Sequence, residues 1–136
     1  MKKDIDIRKV EDLAIAIAPR DPEEEDADLF WDVYMINLKD EPILSVMISS
    51  RGYGEIDGEQ RKTATFRHFW ERVGALDLVK IEPISVDLFN LANEFWVSFW
   101  VHETMYDKRF VFAAGTIKPK DFQWIPSLNA RGIILE

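Results

Sequence analysis

The sequence predicts a mainly β fold, either a single antiparallel β sandwich or a partly open barrel of about six or seven strands with one or two short helices. Three observations support this prediction. Apolar and polar residues alternate over several short segments, turn residues separate these segments, and the connections are too short for the crossovers that parallel strands need. The length of 136 residues, with 47% apolar and 31% charged residues, fits one globular domain spanning residues 1–136.

The segment Asn93–His102 is the most strand-like part of the chain, and we expect the sheet to be organised around it. In an extended chain, successive side chains point to opposite faces. One face then carries Phe95, Val97, Phe99 and Val101, and the other carries Trp96, Ser98, Trp100 and His102. Both faces are rich in aromatic residues, so the pattern predicts a strand in the middle of a sheet with cover over each face.

The N-terminal half contains three more alternating segments. Val10–Ala18 has one bulky and one small face and predicts the first strand, and the charged stretch Pro19–Asp28 predicts a solvated loop. Leu29–Lys39 and Ile43–Ser49 predict the second and third strands. The polar turn Asp40–Pro42 between them favours a hairpin.

The middle of the chain combines a strong turn signal with an ambiguous segment. We expect the third strand to continue to Ile56, to turn at Asp57–Gly58 and to return along Gln60–Phe66. The segment Thr63–Val73 fits both a helical face and a strand face. The interpretation we favour is a strand that turns into a short helical turn.

The C-terminal half continues the strand pattern. Leu78–Glu82 predicts a strand, and Ser85 or Asp87 can cap a short helix that leads into the central strand. Arg109–Ala114 predicts the partner of the central strand, after a reversal at Glu103–Thr104 or at Asp107–Lys108.

The last residues give two weaker predictions. Asp121–Ile125 can form one helical turn before a proline. The apolar tail Gly132–Glu136 predicts either an edge strand or a contact between subunits.

Charge and composition exclude several classes of function. The formal charge of −8 argues against binding to nucleic-acid phosphates, and the lack of cysteine excludes thiolate metal sites and cysteine nucleophiles. No apolar run is long enough to cross a bilayer, and no signal-peptide pattern follows the first basic residues. These features predict a cytoplasmic protein that does not bind membranes.

His68 is the residue with the strongest catalytic potential. An imidazole near a carboxylate, here Glu71, is the smallest arrangement that can exchange protons near neutral pH. A partly buried histidine with one hydrogen bond is the more common outcome, so a small enzyme using His68 with an acidic partner in a cleft is the alternative function. His102-Glu103 lacks the second histidine of a zinc helix, and we expect neither a metal nor a cofactor.

The tryptophans suggest a binding surface. Tryptophan is common both in cores and at interaction hot spots. The binding residues that we predict are Trp70, Trp96, Trp100 and His102. The function we favour is therefore a noncatalytic interaction or ligand-binding domain, associating with itself or with a protein partner through apolar sheet surface, or binding a small apolar ligand.

Three segments carry a resemblance to known proteins. Arg61–Glu71, Ile81–Ile84 and Asn93–Phe99 together resemble a group of uncharacterised bacterial proteins. The resemblance covers the C-terminal part of the chain and implies a shared fold. It supplies neither an activity nor any site residue.

Overall fold

The computed structural model describes residues 9–136, which form a sandwich of two antiparallel sheets. The predicted fold class is confirmed. The ten strands are β1 (Leu13–Pro19), β2 (Phe30–Asn37), β3 (Ile43–Ile56), β4 (Glu59–Lys62), β5 (Phe66–Val73), β6 (Leu78–Ser85), β7 (Ala92–Val101), β8 (Thr104–Phe112), β9 (Gln123–Ile125) and β10 (Ala130–Leu135). They outnumber the six or seven expected, and two of them are short: β4 has four residues and β9 has three. The described helices are three 3₁₀ turns: Val86–Asn90, Pro119–Asp121 and Pro126–Leu128.

The first sheet has the strand order β6-β2-β1-β10-β9, with β1 at its centre. The side chains on the two faces of β1 differ in size, as the sequence predicts: those on the inward face are bulky, and those on the outward face include Ala14 and Ala16. Ile36 and Ile125 join the two alanines in a small second cluster, so β1 is buried on both sides. The strand with cover over each face is therefore β1.

The second sheet is built on the long strand β3. One edge of β3 pairs with β7, which pairs in turn with β8. Along its other edge, the first half of β3 pairs with β5 and the end of β3 pairs with β4. Asp57 and Gly58 both have positive φ, as the predicted two-residue hairpin requires, and they connect β3 to β4. Ser45 also has positive φ, where the β3–β7 register shifts.

The predicted hairpin between the second and third strands is wrong. Both edges of β2 are occupied, by β1 and by β6, so β3 cannot pair with it. The chain instead crosses to the other sheet after Asn37, whose buried side-chain amide donates to the carbonyl oxygens of Glu41 and Gly74 at 3.0 and 2.9 Å. These hydrogen bonds fix the crossover.

The helical turn predicted within Thr63–Val73 is also wrong. Phe66–Val73 is strand throughout and pairs with β3, with Trp70 opposite Val46. The apparent helical spacing arises because this edge strand has aromatic residues on both faces. The return strand predicted over Gln60–Phe66 ends earlier, at Lys62.

The elements on either side of β7 agree in part with those predicted from the sequence. The short helix is confirmed as the 3₁₀ turn Val86–Asn90, capped by the Ser85 hydroxyl, which accepts from the amide of Asp87. The reversal after β7 occurs at His102-Glu103, because Val101 pairs with Thr104, so the partner strand begins earlier than expected.

The end of the chain differs from the predicted helical turn but agrees in part with the predicted edge strand. Gln123–Ile125 is a strand, and only Pro119–Asp121 before it is helical. The tail is β10: Ala130–Gly132 pairs with β9, whereas Ile133, Ile134 and Leu135 pair with β1 alone, so the predicted edge strand is confirmed for these last three residues.

The core fills the space between the sheets. Its largest side chains come from β7 and β8: Phe95 packs edge to face on Phe112, with ring centroids 5.9 Å apart, and Phe99 stacks on Tyr106 at 5.5 Å. Of the two faces of β7, the one carrying Phe95 and Phe99 is therefore inside. No helix in residues 9–136 is long and apolar enough to cross a membrane.

Candidate functional site

The outward face of the second sheet carries a group of exposed apolar side chains, which we call the aromatic face. Its members are Leu44, Met47, Phe69, Trp96, Trp100 and Met105. They lie on the four strands β3, β5, β7 and β8. Trp96 and Trp100 remain 44% and 40% exposed, and Phe69 is 56% exposed. The cover predicted over this side of the central strand is therefore incomplete.

The strand register brings these residues side by side. Trp100 pairs with Leu44 on one side and with Met105 on the other. Met47 pairs with Phe69, and on its other side with Ser98. Neighbouring strands in a sheet lie about 4.8 Å apart, so these cross-strand partners are in contact range. The exposed side chains thus form one continuous surface.

Charged residues border the aromatic face. Arg67 pairs across the sheet with Ser49 on the β5 side, and Arg109 pairs with Trp96 on the β8 side. Asp107, opposite Ser98, also lies on the β8 side. The surface therefore has an apolar centre and a polar margin, which is the usual anatomy of a protein interface.

A buried carboxylate closes one end of the aromatic face. Glu94 is 4% exposed and accepts hydrogen bonds from Arg51 Nε at 2.7 Å and from Arg109 Nε. Arg109 also donates to the hydroxyl of Tyr53 at 3.1 Å. Burial by itself would raise the pKa of Glu94, but the hydrogen bonds from the two arginines outweigh it and lower the pKa.

The outward face of the first sheet is different. It buries a carboxylate, Asp32, which receives hydrogen bonds from Arg20 at 3.0 to 3.2 Å and an ion pair from Lys80 at 3.5 Å. Its alanines are covered by the second cluster. Among the described residues, the large exposed apolar side chains are thus concentrated on one side of the sandwich.

A second feature lies where the two sheets separate, between the edge strands β5 and β6. We call it the inter-sheet cleft; it has a volume of about 260 Å³ and is lined by Phe66, His68, Glu82 and Pro83. Glu82 Oε1 is 2.8 Å from His68 Nε2 and accepts from the Ser50 hydroxyl at 2.7 Å. A carboxylate accepts hydrogen bonds, so Nε2 carries a proton. The three side chains link the two sheets.

The predicted site residues are only partly brought together. Trp96 and Trp100 share the aromatic face, whereas Trp70 points inward, stacks on His68 at 6.0 Å and packs against the core. His102 lies in the β7–β8 turn with positive φ, and its Nε2 is 2.9 Å from Glu41 Oε1. The binding set predicted from sequence therefore divides among three places.

The acid–base pair predicted from sequence is formed with a different carboxylate. Residues three apart on a strand point to opposite faces, so Glu71 is exposed on the other side of β5 from His68. The partner is Glu82, on the other sheet. Ser50 donates to Glu82, so the cleft has no serine–histidine hydrogen bond of the kind that activates a nucleophile.

Sequence reasoning missed Met47, Phe69, Glu82 and Glu94 as members of these sites. Met47 and Phe69 occupy outward positions of strands that the sequence did predict in part, so correct pairing of β3 with β5 would have placed them beside Ser98. Glu82 could be found only by knowing that β5 faces β6.

Comparisons with known proteins add no assignment. Neither the protein-family models, nor the curated proteins, nor the solved structures give a match to this chain. Within residues 9–136, no three histidine, cysteine, aspartate or glutamate side chains are grouped so that they could hold a metal ion. The aromatic face and the inter-sheet cleft are therefore the two candidate sites of this chain.

Proposed function

We propose that this protein is a noncatalytic interaction domain that forms a homodimer by packing the aromatic faces of two copies together. The observation that carries the proposal is the continuity of the six exposed apolar side chains across four strands. Exposed apolar patches of this kind, with a polar margin, mark interaction sites on soluble domains.

The size of the aromatic face fits one partner surface of an ordinary dimer. A whole aromatic side chain has about 150–250 Å² of surface, and the six side chains, of which three are aromatic, are between 38% and 56% exposed, so together they offer roughly 500 Å² of apolar area. A standard interface buries about 800 Å² on each partner, of which slightly more than half is apolar. The aromatic face can supply nearly all of that apolar part.

The charges around the aromatic face favour a second copy of the chain. The chain as a whole carries −8 and two copies would repel each other at most surfaces. The charged residues that the strand register places next to the exposed apolar side chains include three arginines and two carboxylates: Arg51, Arg67 and Arg109, with Glu94 and Asp107. Two such faces can meet without the repulsion that the net charge creates elsewhere.

The arrangement along β7 is also self-complementary. Trp96 and Trp100 lie on either side of Ser98, which pairs with Met47. In a twofold dimer the same patch contacts itself, and a symmetry axis along the Ser98–Met47 row would place Trp96 of one copy against Trp100 of its partner. Large rings would then pack beside small or flexible side chains.

An acid–base enzyme is the second candidate function, because His68 and Glu82 form a hydrogen-bonded pair in a cleft. Ser50 is nearly fully buried and bonded to Glu82, so the pair lacks an accessible serine nucleophile. We therefore favour the noncatalytic function. We also place the domain in the cytoplasm, since a chain without cysteine suits a reducing compartment.

Sedimentation of two matched variants tests the proposed dimer. Trp100→Glu introduces a charge in the centre of the aromatic face, and Trp124→Glu introduces the same charge at a tryptophan that is 57% exposed on β9, in the other sheet. We expect the native chain and Trp124→Glu to sediment as dimers at micromolar concentration, and Trp100→Glu as a folded monomer. A native chain that remains monomeric at high micromolar concentration would contradict the proposal.

A further inference from the structure

We propose that the inter-sheet cleft binds a small organic cation, with an ammonium group held by Glu82 and an apolar stem against Phe66 and Pro83. The proposal concerns the edge between β5 and β6 and is independent of the dimer. It begins from the cleft of about 260 Å³ that these residues line together with His68.

The hydrogen bonds of Glu82 leave one carboxylate oxygen available. Both the Ser50 hydroxyl and His68 Nε2 bind Oε1, and Oε2 receives no hydrogen bond from residues 9–136. In this part of the chain no buried side-chain oxygen or nitrogen lacks a partner, so Oε2 is open to solvent. A ligand that donates a proton to Oε2 can therefore bind without breaking the link between the sheets.

The local charge favours a cation over a neutral donor. Arg51, which lines a neighbouring pocket together with Phe66 and Glu82, is paired with Glu94 on the outward face, and Lys80 is paired with Asp32. The His68 imidazole is the only basic group within 4.0 Å of the Glu82 carboxylate among the described residues. When the imidazole is neutral, the carboxylate gives the cleft a net negative charge. Hydrogen bonds between charged partners are stronger than those between neutral groups.

The rest of the cleft suits an apolar stem. Phe66, the first residue of β5, is 56% exposed. Phe66 and Pro83 form the apolar walls of the cleft. An aromatic ring face attracts a cation as well as apolar carbon. The cleft volume of about 260 Å³ lies just below the range of about 300–1,000 Å³ that holds drug-sized ligands. This is the size of an arylalkylamine or of a short alkylamine.

The ligand does not react in this site. Ser50 is hydrogen-bonded to Glu82 and buried, and the His68 proton is directed to the same carboxylate. These groups hold Glu82 in position, so they act as positioning residues for the carboxylate that contacts the ligand.

The test uses phenethylammonium and its neutral isostere 2-phenylethanol, titrated into the isotopically labelled native chain and followed by NMR. We expect the amine to shift the resonances of Phe66, His68 and Glu82 with a dissociation constant of about 0.1–1 mM, as small ligands of this size allow. The alcohol should bind at least about tenfold more weakly, because it lacks the charge-assisted hydrogen bond.

Two variants of equal charge complete the test. Glu82→Gln should weaken binding of the amine at least about tenfold, and Glu71→Gln, on the opposite side of β5, should change it by no more than about twofold. The proposal is overturned if the native chain shows no shifts at about 10 mM amine, which exceeds the expected dissociation constant at least about tenfold. It is also overturned if the alcohol binds as tightly as the amine, or if the two variants weaken binding equally.

Discussion

At the scale of single residues, the Glu94 carboxylate is a buried charge on the outward face of the second sheet, and two ion pairs with arginines stabilise it. It lies on the outward face of β7, yet Arg51 and Arg109 cover it from the two neighbouring strands. The arginines are about half exposed, so their charges remain partly hydrated while the carboxylate is not. Removing the carboxylate therefore leaves two solvated cations and no buried charge.

We expect Glu94→Gln to lower the free energy of unfolding by about 1–3 kcal/mol at neutral pH, because it replaces charge-assisted hydrogen bonds with weaker ones. Chemical denaturation measures this difference. The matched control is Glu59→Gln, whose carboxylate pairs with Arg61 at 3.1 Å but is well exposed. That substitution should change stability by less than about 0.5 kcal/mol.

The pH dependence of stability follows from the lowered pKa of Glu94. A carboxylate whose pKa is lowered by folding contributes stability above its unfolded pKa, here ordinarily 4.5, and loses that contribution as the pH falls through the folded pKa. The native chain should therefore lose stability more steeply than Glu94→Gln below pH 4.5. Parallel pH profiles of the two chains would show that the arginines do not act on this carboxylate as described.

At the scale of elements, the contact between β1 and β10 depends on a glycine. A Cβ on Gly132 would lie 2.6 Å from the carbonyl oxygen of Ile17 and 3.0 Å from the Cβ of Ala18. Both atoms belong to the central strand of the first sheet, which is buried on both faces and cannot move away easily.

Gly132→Ala is expected to cost about 1–3 kcal/mol of stability, because the added methyl group forces the two strands apart. Thermal or chemical unfolding gives the value. Gly74→Ala is the matched control, since the nearest atom outside the adjoining residues, Arg72 Nη1, would lie 3.7 Å from the added Cβ, which is an ordinary contact distance. If both substitutions have the same small effect, the close approach of β10 to β1 does not limit this part of the sheet.

At the scale of elements, the observed strands can also be compared with those that the alternation of apolar and polar residues predicted. Alternation located β1, β2, β3 and β7 closely and identified Phe95 and Phe99 as sharing one face. It could not tell which face of β7 is covered, because both faces are aromatic and the answer depends on where the other sheet lies. It also assigned β2 and β3 to a hairpin, because the occupied edges of β2 become visible only when β6 is placed beside it.

At the scale of the whole molecule, the candidate sites depend on contacts between distant segments. His68 and Glu82 are 14 residues apart and belong to different sheets. The aromatic face combines Phe69 on β5 with Met105 on β8, which are strands at opposite edges of the second sheet. The sequence indicated an apolar surface around Trp96 and Trp100, but its extent required the pairing of four strands. Local patterns carry no information on such pairing.

The sandwich separates the two proposed sites physically. The aromatic face points away from the core, whereas the inter-sheet cleft opens at the edge between β5 and β6. Dimer formation and amine binding can therefore succeed or fail independently. The central claim of this account is that a second copy of the chain covers the aromatic face.

The most direct measurement of that claim is an isotope-filtered NOE experiment on an equimolar mixture of labelled and unlabelled chains. It detects only contacts between copies. We expect intermolecular NOEs from the methyl groups of Met47 and Met105 to the indole protons of Trp96 and Trp100, and none to Trp124. Intermolecular NOEs confined to other surfaces, or none at concentrations where the chain is folded, would contradict the claim.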